Sequence, residues 1–498
     1  MSLRKQVAPP FWMRASLLAI FWGSLLIARD GASQDATPTP AAATATDPDL
    51  AAAIQKLLSD PHLEGTQIAV AVLDVGTNKI LAAANEHAAM NPASNAKLYT
   101  AAAALALVHG DHRYETVLLG SAHDQEVTGN LVLRGHGDPS LETADLFAMA
   151  EDLHGQGIRR VTGDIIVDQR NFDEQTTPPA FDQKPSEWAA FRAPVSAVAL
   201  NENTLTLTVR PGAPGEAAHA SFDPPGFVDA EGSVMTGDDG ADTVGLELAG
   251  SGQRMTAKLS GKIGSDSRYA RYTRRVEDPT LLAGFALKAM LDEVGIKVAG
   301  DVKSGPGKAT SLLVKHQSRP LSDLLYALGK QSDNFYAEMI FKSIAGELKG
   351  RPAKSADSAT LVTQWVNKVG AGDNGLTIKN GSGLYDANRV TTFSVVELLR
   401  AAWLDPSIQP EYVSQLSIGG VDGTLHKRFH DLRSRRVLRA KTGTLDDVAA
   451  LSGYVSTGPG KSPVAFSILV NHAQGKVGEA RPAMDRVVDK IVERYAPP

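Results

Sequence analysis

The sequence predicts an α/β fold: a sheet flanked by helices, assembled from both ends of the chain, with a large β-rich insertion between them. Three observations carry this. "TQIAVAVLDVGTNKILAAAN" (66–85) holds two apolar runs joined by a Gly/Asn turn, the pattern of neighbouring strands. "RVLRAKTGTLDDVAALSGYV" (436–455) and "SPVAFSILVNH" (462–472) read as further adjacent strands. Between the ends, runs such as "LVLRG", "GDIIVD" and "TLTLTVRPG" alternate with turn residues. Independent domains in series are the competing organisation, and 498 residues suffice for two or three of them.

Taken in order, Arg4, Lys5 and Arg14 precede the apolar stretch 15–28, and Gly31, Ala32 and Ser33 follow. That order predicts a signal peptide over 1–33, with an uncleaved membrane anchor as the alternative. Export to the periplasm is therefore expected, with membrane association if the anchor is kept. Residues 34–50 are rich in Pro, Ala and Thr and read as a disordered linker. One domain is expected from 51–115 plus 275–498, and the insertion, in two subdomains, from 116–274. A helix carrying Ser94 in its first turn is expected within 90–110, and others at 278–296, 320–346, 358–369, 393–403 and near 480–494.

A net charge of −6 gives no basic footprint for nucleic acid, and the one basic run, "HKRFHDLRSRR" (426–436), reads as a solvated face. Absence of cysteine excludes disulfides, thiol nucleophiles and thiolate metal sites. The histidines are scattered without a His-Glu-x-x-His pattern, and His136 sits in a Gly-rich loop. No metal and no cofactor are expected.

In "MNPASNAKLYTAAAALALVHG" (90–110), Ser94 and Lys97 lie one helical turn apart, followed by Leu98, Ala101, Ala102, Leu105 and Val108 on a core-facing stripe. A helix-opening serine with a solvent-reaching lysine is the bland account. The chemical one is a nucleophile whose base is a lysine with its pKa lowered by burial. "SDN" (332–334) interrupts a helical apolar pattern, either as a break between helices or to aim Ser332 and Asn334 at the same site. "KTGTL" (441–445) places a cation and a hydroxyl beside a residue without a side chain. That suits a ligand whose carboxylate is gripped by Lys441 and Thr442 while its backbone passes Gly443, or else a simple turn.

With all three in order, the sequence resembles the penicillin-binding D-alanyl-D-alanine carboxypeptidases of serine peptidase family S13, which carry Ser-x-x-Lys, Ser-x-Asn and Lys-Thr-Gly. Class A β-lactamases share the motifs but space the first two more closely. The stretches at 193–212, 380–384, 419–428 and 440–455 resemble the family too. The resemblance implies a penicillin-binding transpeptidase/β-lactamase-like domain. It implies Ser94 as nucleophile and Lys97 as its base. By the same resemblance Ser332 would pass a proton to the leaving group, Asn334 would bond the substrate amide, and Lys441 and Thr442 would hold the terminal carboxylate. The resemblance likewise implies that the N–H groups of Ser94 and Thr444 form the oxyanion hole. Asp168 and Phe172 resemble family residues that contact a diaminopimelate side chain. The implied partners are peptidoglycan stem peptides, with β-lactams as covalent inhibitors. The implied reaction is removal of terminal D-alanine or cleavage of D-alanine–diaminopimelate cross-links. A β-lactamase and a non-enzymatic wall-binding protein are the alternatives.

Overall fold

The structure, a computed structural model, describes residues 44–497 except 239, 241, 252 and 434. The expected signal peptide and residues 34–43 of the expected linker lie outside the described residues. Residues 44–50 are not linker. Thr44–Ala45 (β1) pairs with Ala83 and Ala82, and a helix, α1, runs over Pro48–Leu58. Asp47 caps α1 by accepting from the Asp49 and Leu50 N–H groups, and Leu50 is buried. Low apolar content hid a cap followed by proline at the first helical position, which is a start signal in its own right.

The first sheet comprises β1, β2 (Gln67–Asp74), β3 (Lys79–Ala84), β4 (Ser417–Ile418), β5 (Leu438–Leu445), β6 (Val448–Val455) and β7 (Val464–Asn471). Its order is β1-β3-β2-β7-β6-β5-β4, every pair antiparallel. β2 pairs with β7 along its whole length, from Gln67 opposite Asn471 to Asp74 opposite Val464. Alternate residues serve opposite faces. Val70, Val72, Ile468 and Val470 pack with α1 and with α5 (Val477–Tyr495). Ala69, Ala71, Ala465 and Leu469 pack under α2 (Ala96–Val108), α3 (Asn334–Leu348) and α4 (Thr392–Leu404). Burial on both faces is why these strands read as continuous apolar runs rather than alternating ones.

α2 is the central helix. The sequence predicts one core-facing stripe ending at Val108, but every residue from Ala96 to Leu105 is buried and Val108 is only partly so. Alanine-rich sequence lets neighbours close in on all sides, as in any helix that is apolar all round.

A second, mixed sheet is built on the hairpin Glu115–His123/Glu126–Gly135. Arg160–Val161 and Ile165–Asp168 join it in parallel, and Leu312–Gln317 covers its other edge antiparallel. Three smaller sheets fill the stretch from 204 to 275. The expected return at residue 275 falls too early. Helix Leu282–Glu293 packs its Leu282, Ala286 and Met290 with Ile165 and Val167, and strands through Gln317 pair in the second sheet. A Cβ at Gly284 would stand 2.4 Å from Val167, so this helix lies directly on the sheet. A helical pattern in sequence does not say which sheet it covers. Among the described residues, no helix is long and apolar enough to cross a membrane.

Candidate active site

Ser94 sits on a single 3-10 turn, Ala93–Asn95, leading directly into α2. Ala93 has a left-handed φ of 44°, so the turn is held from outside rather than by its own preference. Asn91 accepts from the Ala93 N–H and exchanges amide hydrogen bonds with Asn471 at the end of β7. Gly443 and Gly383 complete the cradle. A Cβ on Gly443 would lie 2.9 Å from the Pro92 carbonyl oxygen, and one on Gly383 1.8 Å from that of Ala93. The room beside Gly443, expected for a ligand's backbone, is therefore filled by the chain that carries the serine.

Lys97 is fully buried. Its Nζ donates to Ser94 Oγ at 3.0 Å, Asn334 Oδ1 at 2.7 Å and the Ser382 carbonyl at 2.8 Å. Burial pulls its pKa down to about 7 against the opposing pull of Asp333 and Glu338. Glu338, itself buried, accepts from the Gly381 and Ser382 N–H groups and so fixes the carbonyl that Lys97 uses. Lys441, on β5, is also fully buried. It donates to Ser332 Oγ at 2.7 Å and the Thr442 carbonyl at 2.8 Å, and burial, then the nearby Lys97 charge, holds its pKa well below the usual lysine range. Thr442 donates to the Thr424 hydroxyl at 2.8 Å. Thr444 accepts from Arg481 of α5.

The helix expected over 320–346 is broken at the Ser-Asp-Asn stretch. Leu321–Tyr326 ends in a wide turn, Ser332 is left-handed (φ 62°), and Asp333 caps α3 by accepting from the Tyr336 N–H. Both readings of this stretch thus hold together, because the break is what turns Ser332 toward Lys441. Asn334 is engaged at both ends of its amide, by Lys97 and by the Phe191 carbonyl. Behind it, the Asp333 carboxyl hydrogen-bonds that of Glu202, and burial raises the pKa of both. Such a pair shares a proton. Glu202 comes from the segment Asn201–Asn203, three consecutive left-handed residues.

A cleft of about 580 Å3 opens over Ser94, Ser332, Asn334 and Thr444. The segment 183–191 covers it, with Lys184 paired to Asp446 at 2.9 Å and Glu187 accepting from the Tyr385 hydroxyl. Asp168 and Phe172 are not brought there. Asp168, at the end of a second-sheet strand, is buried between Arg134 and Arg170, whose hydrogen bonds outweigh the effect of burial and hold its pKa at about 2. Its oxygens are taken and cannot serve a substrate amine. Phe172 is buried under the Lys342 ammonium, 5.2 Å from the ring centre. Sequence reasoning missed Glu338, Ser382, Thr424 and Asn471. The stretches holding Ser382 and Thr424 resembled the family, but Glu338 and Asn471 carry no local signal.

A hydrolase built on a buried Ser–Lys couple, with a second Ser–Lys pair facing it between an antiparallel sheet and a helical layer, is what this geometry defines. Residues 50–491 match the D-Ala-D-Ala carboxypeptidase 3 (S13) family. The D-alanyl-D-alanine carboxypeptidase of Actinomadura sp. (strain R39) is 34% identical over 464 residues, 89% of this chain and 84% of that protein. D-alanyl-D-alanine carboxypeptidase DacB of Haemophilus influenzae is 26% identical over 82% of this chain and 86% of its own. The crystal structure of penicillin binding protein 4 from the same organism superposes with a TM-score of 0.73 at 25% identity, covering 90% of this chain and 99% of that one. The chain belongs to the S13 family: it is a serine-type D-Ala-D-Ala carboxypeptidase/endopeptidase among the class C low-molecular-mass penicillin-binding proteins, acting on peptidoglycan through an acyl-enzyme.

Proposed function

We propose that Ser94 attacks the carbonyl between a D-alanine and the residue that follows it, with Lys97 taking the hydroxyl proton. The carrying observation is a buried amine 3.0 Å from Ser94 Oγ whose pKa lies at about 7, so that it is available as a neutral base near neutrality. Ser332, polarised by Lys441, passes a proton to the departing amine. The terminal carboxylate binds at the Thr442 and Thr424 hydroxyls, and its arriving negative charge favours the ammonium form of Lys441 behind them. The N–H groups of Ser94 and Thr444 receive the oxyanion. Asn334 braces Lys97, and it bonds the substrate amide by exchanging the Phe191 carbonyl for it. Water then releases the acyl group from Ser94.

The substrates in this reading are stem peptides ending in D-alanyl-D-alanine and the D-alanine–diaminopimelate cross-link, which presents the same carbonyl and carboxylate. The cleft mouth mixes Lys184 and Arg389 with Glu187, Asp386 and Asp446, which suits the zwitterionic end of diaminopimelate. We place this work in the periplasm, after export directed by the segment 1–33. The test is intact-mass spectrometry with benzylpenicillin. The expected result is one penicilloyl group on Ser94, persisting for many minutes and absent from Ser94→Ala of unchanged circular dichroism. An adduct on folded S94A removes Ser94 from the role, and an adduct gone within seconds favours a β-lactamase.

A further inference from the structure

The Ser94 cleft lies at the Thr444–Val448 end of β5 and β6; a second groove, of about 550 Å3, lies at the opposite end of β5 beside Arg439. Three of its wall residues stand two positions before a residue of the site: Lys330 before Ser332, Asp422 before Thr424, and Arg439 before Lys441. On β5 that spacing puts Arg439 on the same side of the sheet as Lys441, with their Cα atoms roughly 7 Å apart. Tyr326, Trp403 and Pro410 supply an apolar wall. Lys330 and Asp422 neutralise each other at 2.7 Å. Arg436 and Arg439 line the same groove, and among the described residues neither side chain makes a hydrogen bond or salt bridge. Arg439 is half-buried, so burial and the Arg436 charge both work against its own, with Asp422 the carboxylate that opposes them. Lys330, Arg436 and Arg439 thus share the single carboxylate of Asp422, and this excess of positive charge beside aromatic rings is a setting that a carboxylate-bearing ligand relieves.

We propose that this groove binds carboxylates of the leaving peptide when the bond cut is a cross-link. The proposal rests on the reading of the site given above. There the carboxylate next to the scissile bond is taken at Thr442, and whatever continues beyond it passes toward Arg439. D-alanine ends at that carboxylate and leaves the groove empty. The leaving half of a cross-link continues as an acidic peptide with further carboxylates, which reach Arg439 and Arg436. The groove thus separates the two reactions of one nucleophile: it contributes to cross-link cleavage and nothing to trimming.

The test compares hydrolysis of a cross-linked muropeptide dimer with that of the matching pentapeptide, using the wild type, Arg436→Glu and Arg439→Gln. Arg436 is exposed, so its variant folds even if that of the half-buried Arg439 does not. The ratio of dimer to pentapeptide rates is expected to fall about tenfold in each, the effect of one lost charge-assisted hydrogen bond, through a raised KM for the dimer. A penicilloyl adduct in each variant reports that the Ser94 site is assembled. An unchanged ratio in an assembled variant overturns the groove, as does an equal fall in both rates. A wild type that forms the adduct and trims pentapeptide but leaves the dimer intact overturns the groove alone. A wild type with no adduct overturns the underlying reading instead.

Discussion

Lys97 and Lys441 are both fully buried, and among the described residues neither hydrogen-bonds a carboxylate. Their ammonium forms are therefore disfavoured in the fold, and this couples chemistry to stability. Lys97 titrates at about 7 in the folded protein against 10.5 ordinarily. Below about pH 7 the fold carries a proton its site resists, and between about 7 and 10.5 the unfolded chain holds the proton that the fold has shed. Stability from this group thus rises with pH across that window. Lys97→Met is expected to abolish acylation while shifting Tm, relative to wild type, more favourably at pH 6 than at pH 10 in paired thermal melts. Acylation by a β-lactam is expected to rise about tenfold per pH unit up to about 7 and then level off; a rate flat from pH 5 to 9 contradicts Lys97 as the base. Gly443 acts at the same scale. Gly443→Ala pushes a methyl against the Pro92 carbonyl and displaces the turn that carries Ser94, so acylation should fall roughly 100-fold with the sheet intact. The three motifs were legible in the sequence because each is local. The reason for the glycine was not, since Pro92 and Gly443 are neighbours only in space.

At the scale of elements, α3 begins where the chain must also aim Ser332, and Asp333 serves both ends. Its carboxyl caps the helix and shares a proton with Glu202, which ties the insertion to the site. Asp333→Ala is expected to cost about 1–2 kcal/mol in urea unfolding, the value of a lost cap, and to slow acylation. Asp333→Asn keeps an acceptor and a hydrogen bond toward Glu202, and it should restore most of both. Equal losses in the two variants would point to charge rather than the cap. The long apolar strands and α2 were visible in the sequence because a two-sided core leaves no polar residues to blur them. The break at Ser332 was visible only as an interruption. The left-handed run Asn201–Asn203 was not visible at all, because its conformation is imposed by partners such as Thr143, Pro194 and Ser196.

For the whole molecule, the sequence placed the insertion correctly as a β-rich body but ended it at 274, whereas its sheet keeps strands through Gln317. It also sent the wrong acidic residue to the site: Glu187 reaches the cleft, while Asp168 is spent holding two arginines in the second sheet. Both errors have one cause, that motif spacing records order along the chain and not which layer a segment joins. The pairing of β2 with β7 has a consequence of its own. Asn471, in the last strand, holds Asn91 and through it the Ser94 turn. The chain must therefore be made through Asn471 before the nucleophile is armed. For an enzyme that acts on peptidoglycan this is a delay written into the topology: a fragment ending before Asn471 carries the serine and lacks the strand that positions it.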